Sequence, residues 1–459
     1  MSDYQLIIIG SGPAGTAAAG QAARLGLHTA VIENDKPGGT CLNRGCIPTK
    51  ALLHVSGLVS DFKREQAHGI LEGEAAVNPG RLFAYKDEIC EKLSGQVEAS
   101  FRTAKVDLIR GKAVLLPGNR VRVGERILTA QDVILAAGSV PVIPPIPGMD
   151  LPEVMTSEEI LKGTDALPSS LVIIGGGVIG IEFATFYSDL GVHVTILEGM
   201  DRILPTLDRE ISQNLARILK KRGVTICTKA MVTRCEGGSG SPVTVRFKTG
   251  EEEQSVTCGN VLCAVGRKPA AEGLLNEDLQ KELRMDGRRI AVDEYFRTSV
   301  PHVYAVGDLS SKIQLAHAAS AQGTACVNHI AGKPSVYTAD AVPSCIFTKP
   351  EIAAVGLDEQ TAKDAGIPAA AGRAVLFSNA RTVLATDERC FMKVIAGRED
   401  HRILGAQLMC GRSSEIISEI TEAIVNGLTV EQMLAVIRPH PTFHEALTDA
   451  LRDLAGKLG

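Results

Sequence analysis

Two copies of one sequence design, 165 positions apart, constrain this chain more than any other feature. Leu6-Ile7-Ile8-Ile9 reads as a buried strand that leads into Gly10-Ser11-Gly12-Pro13-Ala14-Gly15, a G-x-G-x-x-G turn. An alanine-rich helix over residues 17–25, a stop at Gly26 and a second strand ending at Glu33 follow. Leu171-Val172-Ile173-Ile174 leads in the same way into Gly175-Gly176-Gly177-Val178-Ile179-Gly180, then a helix and a strand over 192–198 that ends at Glu198. Each acid lies 18 residues beyond the third glycine of its turn. Strand, turn, helix, strand and acid together describe a complete βαβ dinucleotide unit, so two dinucleotides are implied. In each unit the first glycine permits the tight turn, the second lets the backbone approach a pyrophosphate, and the third allows helix and strand to pack closely. The helix N-terminus adds free N–H groups and positive potential. Glu33 and Glu198 are then placed to accept ribose hydroxyls. A carboxylate at Glu198 repels a 2′-phosphate and favours NAD over NADP, with nearby Arg202 tempering the preference.

Eight residues after Glu33 begins the pair Cys41-Leu42-Asn43-Arg44-Gly45-Cys46, inside the longer run from Gly38 to Lys50. In a regular helix residues i and i+5 differ in height by about 7.5 Å, more than the roughly 4.4–6.8 Å between Cα atoms that a disulfide tolerates. A bridge here needs distorted backbone, which Gly38, Gly39, Gly45 and Pro48 can supply. The plainer alternative is two buried free thiols. Because the pair rides on the first unit, it faces the redox end of that nucleotide. A flavin suits the position, since it takes electrons from thiolates and passes hydride to a nicotinamide. Cys258 and Cys263 repeat the spacing, but their run reads as one strand, where five residues span about 16 Å. Cys326, Cys345, Cys390 and Cys410 lie in apolar stretches and read as core thiols.

At 459 residues and 45% hydrophobic content, the chain has material for several cores. A net charge of −5 with no basic block gives no sign of nucleic acid or a membrane surface as partner. No apolar run reaches membrane-spanning length and no signal peptide precedes the first strand, so a cytoplasmic location is expected; a removed organellar transit peptide would leave the same pattern. Eleven scattered cysteines fit neither a secreted disulfide framework nor a structural zinc site, and no metal is expected. Residues 141–147 form a proline-rich crossing between domains. Residues 79–103 read as a long helix and 106–123 as short strands. The last part mixes strands (390–395, 403–409) with helices (415–426, 430–436).

Six stretches carry a family resemblance: GGTCLNRGCIPTK around the cysteine pair, Ala136-Ala137-Gly138-Ser139, Ala264-Val265-Gly266-Arg267-Lys268-Pro269, Tyr304-Ala305-Val306-Gly307-Asp308, Leu315-Ala316-His317-Ala318 and His440-Pro441-Thr442-Phe443-His444-Glu445. Through them the chain resembles, over essentially its whole length, the disulfide oxidoreductases that bind two dinucleotides, most closely the dihydrolipoamide dehydrogenases. The resemblance implies an α/β fold with two Rossmann-like domains, for FAD and NAD, and a C-terminal α+β dimerisation domain. The expected divisions are 1–142 (FAD, first segment), 143–265 (NAD), 266–335 (FAD and central, second segment) and 336–459 (dimerisation). It also implies FAD and NAD as cofactors, and a Cys41–Cys46 redox disulfide with Cys46 beside the flavin and Cys41 exchanging with substrate.

By the same resemblance Lys50 and Glu182 form an ion pair near the flavin N5, Gly138 closes the first flavin segment and Gly266 ends the NAD domain. Asp308 meets the ribityl chain, Ala316 and His317 neighbour the flavin ring, and His440 is a base partnered by Glu445. From the residues alone, Lys50 reads first as a solvated helix lysine, and His440 equally well as part of a surface turn before a helix. The implied activity is oxidation of protein-bound dihydrolipoamide by NAD, in a homodimer whose His440 and Glu445 complete the partner chain's site. The carrier would be the E2 component of a 2-oxoacid dehydrogenase or the glycine-cleavage H protein. His444 departs from the serine usual in relatives. Two rivals stand beside this reading. Glutathione- or mercuric-type reductases would favour NADPH, and the mercuric ones a C-terminal cysteine pair absent after Cys410; a flavoprotein with a mainly structural role would not need Cys41, Cys46, His440 and Glu445.

Overall fold

The computed structural model describes residues 2–335 and 337–459. In the first domain Asp107–Arg110, Thr29–Glu33, Tyr4–Ile9 and Arg126–Leu135 lie side by side as parallel strands. Leu6, Ile7 and Ile8 are fully buried, as expected for parallel strands covered on both faces. Helix α1 (Pro13–Arg24) begins four residues earlier than its alanine pattern suggests, because Pro13 is well suited to the first helical turn. The sheet is completed from far along the chain, where Val303–Ala305 pairs in parallel with Val133–Leu135.

Between those segments lies the second unit, with parallel strands in the order Thr225–Thr228, His193–Glu198, Ser170–Ile174, Asn260–Cys263, Val154–Thr156. An antiparallel sheet of Ala230–Gly237, Val243–Thr249 and Glu252–Cys258 leans on it. The run from Cys258 to Cys263 is therefore not one strand. Gly259 divides it, donating its N–H to Ser170 Oγ at 3.1 Å, and the two thiols end strands of different sheets. The chain enters and leaves this unit through one antiparallel pair, Ser139–Pro141 against Arg267–Pro269. The expected divisions at 142/143 and 265/266 fall beside that pair, while the one at 335/336 touches Val336, outside the described residues.

The C-terminal part is a five-stranded antiparallel sheet ordered Ser344–Ile346, Glu351–Gly356, Ile403–Cys410, Phe391–Gly397, Ala369–Val375. One face packs on helices Ser413–Val425 and Ala446–Leu458 through Leu408, Ile417, Leu447 and Leu451. The other places Ile352, Phe391 and Met409 in a common core with Phe183 and Phe186 of α6 (Val178–Asp189) and Leu215 of α7 (Arg209–Lys221). Helix α7 is amphipathic, burying Ile211, Leu215, Ile218 and Leu219, and Asp208 caps it by accepting the Glu210 N–H at 2.7 Å. Among the described residues no helix is long and apolar enough to cross a membrane.

Candidate functional site

The two glycine turns repeat in atomic detail. Gly10 and Gly175 adopt φ of +105° and +106°, and a Cβ on either would lie 2.5 or 2.6 Å from the carbonyl oxygen of Ala136 or Ala264. A Cβ on Gly15 or Gly180 would lie 1.9 or 2.1 Å from the Gly10 or Gly175 carbonyl, so no side chain fits where helix meets strand. No side chain caps α1 or α6 and neither first turn carries an acid, which leaves both N-termini to an anion. Glu33 is buried and held by Ser11, its Oε2 accepting from the Ser11 N–H at 2.9 Å and Oγ–H at 2.5 Å. Glu198 is buried likewise, accepting from Gly176 N–H at 2.6 Å and Met200 N–H at 2.7 Å. Arg202 turns away, donating to the carbonyls of Pro205 and Leu207 at 2.7 and 3.2 Å, and does not line this cavity.

One cavity of about 1440 Å³ runs along both turns. That exceeds the roughly 300–1,000 Å³ of an ordinary single-ligand site. Gly10, Gly12, Glu33, Gly138, Asp308 and Ala316 line its first half, and Gly175, Gly177, Glu198 and Gly266 its second. With uncapped helix termini and glycines where the backbone must come close, the residues fit two dinucleotides, one per half. Arg267, which carried no role in the sequence reading, ties the halves together. It donates to Ser139 Oγ and O at 2.8 and 2.7 Å and pairs with Glu158 of α5 (Ser157–Ile160) at 3.0 Å, while Ser139 Oγ–H reaches Asp308 Oδ2 at 2.5 Å. His317 does not line the cavity; its Nε2 lies 2.6 Å from the Pro343 carbonyl.

The cysteine pair sits between the halves. Helix α2 (Gly39–Arg44) stops at Gly45, whose φ of −147° and ψ of −101° are not helical, and α3 (Cys46–Ala67) starts at the second cysteine. The break folds Cys41 back onto Cys46, and both thiols are free. Gly38 anchors the segment to the first turn by donating its N–H to the Ser11 carbonyl at 3.0 Å. One turn into α3, Lys50 Nζ meets both oxygens of Glu182, from α6, at 2.8 and 2.7 Å and lies 4.7 Å from the centre of the Phe347 ring. Glu182 is only 4% exposed, so this pair acts through little solvent.

The hydrogen bond from Cys41, helped by the Lys50 ammonium, outweighs burial and holds the Cys46 thiol down at about 7. The same bond, with burial, pushes Cys41 well above the thiol range. Of the two sulfurs Cys46 is therefore the thiolate near neutral pH. A lowered value means that the thiolate forms as pH rises through about 7 and is lost below it, against an ordinary 9.0. Thiolate absorbance of the reduced protein should report this midpoint, and Lys50→Met should move it upward. A midpoint unmoved by that substitution would remove Lys50 from the site's electrostatics.

His440 and Glu445 lie elsewhere. His440 Nδ1 is 2.7 Å from Glu445 Oε2, and since an ionised carboxylate only accepts, Nδ1 carries the proton and Nε2 is left as acceptor. The carboxylate is steadied by Asn379, which donates to Glu445 Oε1 at 3.2 Å and to the Thr442 carbonyl at 2.9 Å. Asn379 had no sequence signal, being 66 positions from its partner. The His440 side chain is 73% exposed and lines no part of the dinucleotide cavity, so within one chain the imidazole and the thiols are not brought together. His444 is drawn the other way, to the Glu419 carboxylate that also receives Arg438. Burial would raise the Glu419 carboxyl, but His444 and Arg438 outweigh it and leave it below the usual value.

Comparison with known proteins gives consistent results. The model for the pyridine nucleotide-disulphide oxidoreductases matches residues 4–323, and the one for their dimerisation domain matches residues 342–451. A dihydrolipoyl dehydrogenase from Mycoplasma pneumoniae is 38% identical over 458 residues, covering 98% of each chain. One from Bacillus subtilis is 36% identical, covering 97% of this chain and 95% of its own. Among solved structures, LpdA from Mycobacterium tuberculosis superposes with a TM-score of 0.89 at 27% identity, covering 98% of this chain and 99% of that one. The HOCl-induced flavoprotein disulfide reductase RclA from Escherichia coli gives 0.85 at 28%, covering 99% of each.

Proposed function

Since the chain belongs to the pyridine nucleotide-disulphide oxidoreductase family, we propose that it works as a dihydrolipoyl dehydrogenase, oxidising protein-bound dihydrolipoamide to lipoamide and passing the electrons to NAD. The observation that carries this reading is the Cys41–Cys46 pair lodged between the two nucleotide halves, with the Lys50–Glu182 pair beside it. FAD, when bound, accepts two electrons from a thiolate and delivers hydride to a nicotinamide. Gly10, Gly12, Gly15 and Glu33 would hold its adenosine and pyrophosphate end, and Gly138, Asp308 and Ala316 the remainder. Gly175, Gly177, Gly180, Glu198 and Gly266 would hold NAD.

In the oxidised enzyme Cys41 and Cys46 form a disulfide. His440 takes the proton of one substrate thiol, and the resulting thiolate attacks Cys41, breaking the Cys41–Cys46 bond and leaving Cys46 as thiolate. The second substrate thiol then displaces Cys41 from the mixed disulfide, closing the lipoyl ring, and Cys41 leaves with the proton. Lys50 offsets the negative charge left on Cys46, while Glu445 holds the His440 ring and stabilises its cation.

The chain forms a homodimer through its dimerisation domain. In the reading proposed here His440 serves the partner's thiols. Its exposure supports this, as do Ile437, Phe377 and Leu384 of the same domain, which are 96%, 74% and 67% exposed. The substrate is a lipoyl-bearing carrier protein. The likeness to a disulfide reductase keeps one rival, so lipoamide should be assayed against glutathione disulfide with NADH; a preference for glutathione disulfide would replace the present reading.

Cofactor choice follows from Glu198. A 2′-phosphate would face a buried carboxylate while Arg202 is committed to the Pro205 and Leu207 carbonyls. The expected result is kcat/KM at least about 100-fold higher with NADH than with NADPH, equivalent to roughly 2.7 kcal/mol. Equal efficiency with the two nucleotides would remove Glu198 as the selector.

A further inference from the structure

A second cleft, of about 720 Å³, lies between α7 and the C-terminal sheet, and its lining is strongly unbalanced in charge. Seven of its fourteen lining residues are Arg or Lys and four are Asp or Glu. The carboxylates are already engaged. Lys393 is paired with Asp208 and Glu359, each at 2.9 Å, and Glu210 takes both Arg373 and Arg389. Asp358 caps the following helix by accepting the Thr361 N–H at 2.7 Å. What remains is cationic and short of acceptors. Arg217 and Lys363 have no carboxylate within 4.0 Å among the described residues. The Nε atoms of Arg202 and Arg373 are buried with no hydrogen-bond partner. A buried guanidinium N–H without an acceptor is costly, and such a group points to a missing water or ion.

We propose that this cleft binds a small phosphate-type polyanion of pyrophosphate size or larger. Several guanidinium groups in one concave site present forked donors that match the oxygens of phosphate, and Lys363 adds a point charge. A net excess of three cations calls for a multivalent anion, and the volume exceeds what a single phosphate would fill. The site is separate from the dinucleotide cavity, with which it shares no lining residue. It also gives Arg202 a role distinct from recognising a nucleotide phosphate beside Glu198.

The test uses the FAD-loaded dimer with saturating NAD, so that both glycine turns are filled and do not compete for the probe. Inorganic pyrophosphate is titrated calorimetrically at ionic strength fixed with chloride. Saturable binding at one site per chain is expected, weakened roughly tenfold or more in Arg217→Ala/Lys363→Ala, which removes two charged donors. Both side chains are exposed and outside the catalytic and cofactor-binding residues, so lipoamide turnover without pyrophosphate should stay unchanged and report an intact fold. No saturable binding to the wild-type protein, or equal affinity in the double variant, overturns the proposal.

Discussion

Cys41→Ser is expected to lower lipoamide turnover by roughly four orders of magnitude or more while FAD stays bound. The substitution changes one atom in a segment whose backbone is anchored by Gly38 to Ser11, so the glycine turn and its anion site keep their shape. Serine cannot form the mixed disulfide, and Cys46, left without its partner sulfur, has no disulfide for the substrate to open. Cys345 also borders the cavity, but burial pushes it up to about 11, so it is protonated at neutral pH and a poor nucleophile. Steady-state reduction of lipoamide by NADH measures the loss, and flavin absorbance after gel filtration measures retention. A variant with near wild-type turnover would remove Cys41 from the reaction.

The second large effect is recovery of activity by mixing two dead variants. Cys46→Ser and His440→Ala should each be nearly inactive alone. In a dimer containing one chain of each, one site combines the intact Cys46 with the intact His440 and the other loses both. Random reassembly with fresh FAD makes about half the dimers mixed, each with one working site of two, so about a quarter of wild-type activity should return. If mixed dimers with bound flavin form and activity stays at background, His440 works within its own chain or is not the base. The exposure of His440 and its distance from the cavity lining favour recovery.

The parts of the site legible in the sequence are those whose chemistry is local. A glycine turn needs positive φ and close backbone approach within a few residues, and the two cysteines are held by a break at the Gly45 between them. What escaped notice depends on contacts between distant positions. Arg267 reaches Ser139 across 128 positions, Ser139 reaches Asp308 across 169, and Asn379 reaches Glu445 across 66. Asp308 and Glu445 stand in recognisable motifs, but no spacing in the sequence pairs either with its distant partner, or Arg267 with Ser139. The division at Gly259 was hidden for a related reason: a mostly polar strand and a short buried strand of different sheets abut in sequence with one residue between them. Arg202 was misjudged as a neighbour of Glu198 because sequence proximity does not fix side-chain direction.

The pairing of Val303–Ala305 with Val133–Leu135 bears on how the chain is made. A ribosome adding about 5–20 residues per second finishes the first segment roughly 8–35 s before it delivers the strand that completes it. During that interval the second unit, entered and left through one pair of adjacent strands, has all of its own sheet and is free to fold. The first segment meanwhile presents the open edge of Val133–Leu135, a fully buried apolar strand in the finished protein. Nascent chains stalled before residue 303 are therefore the species most in need of a chaperone, and the inserted unit is what sets the length of their exposure.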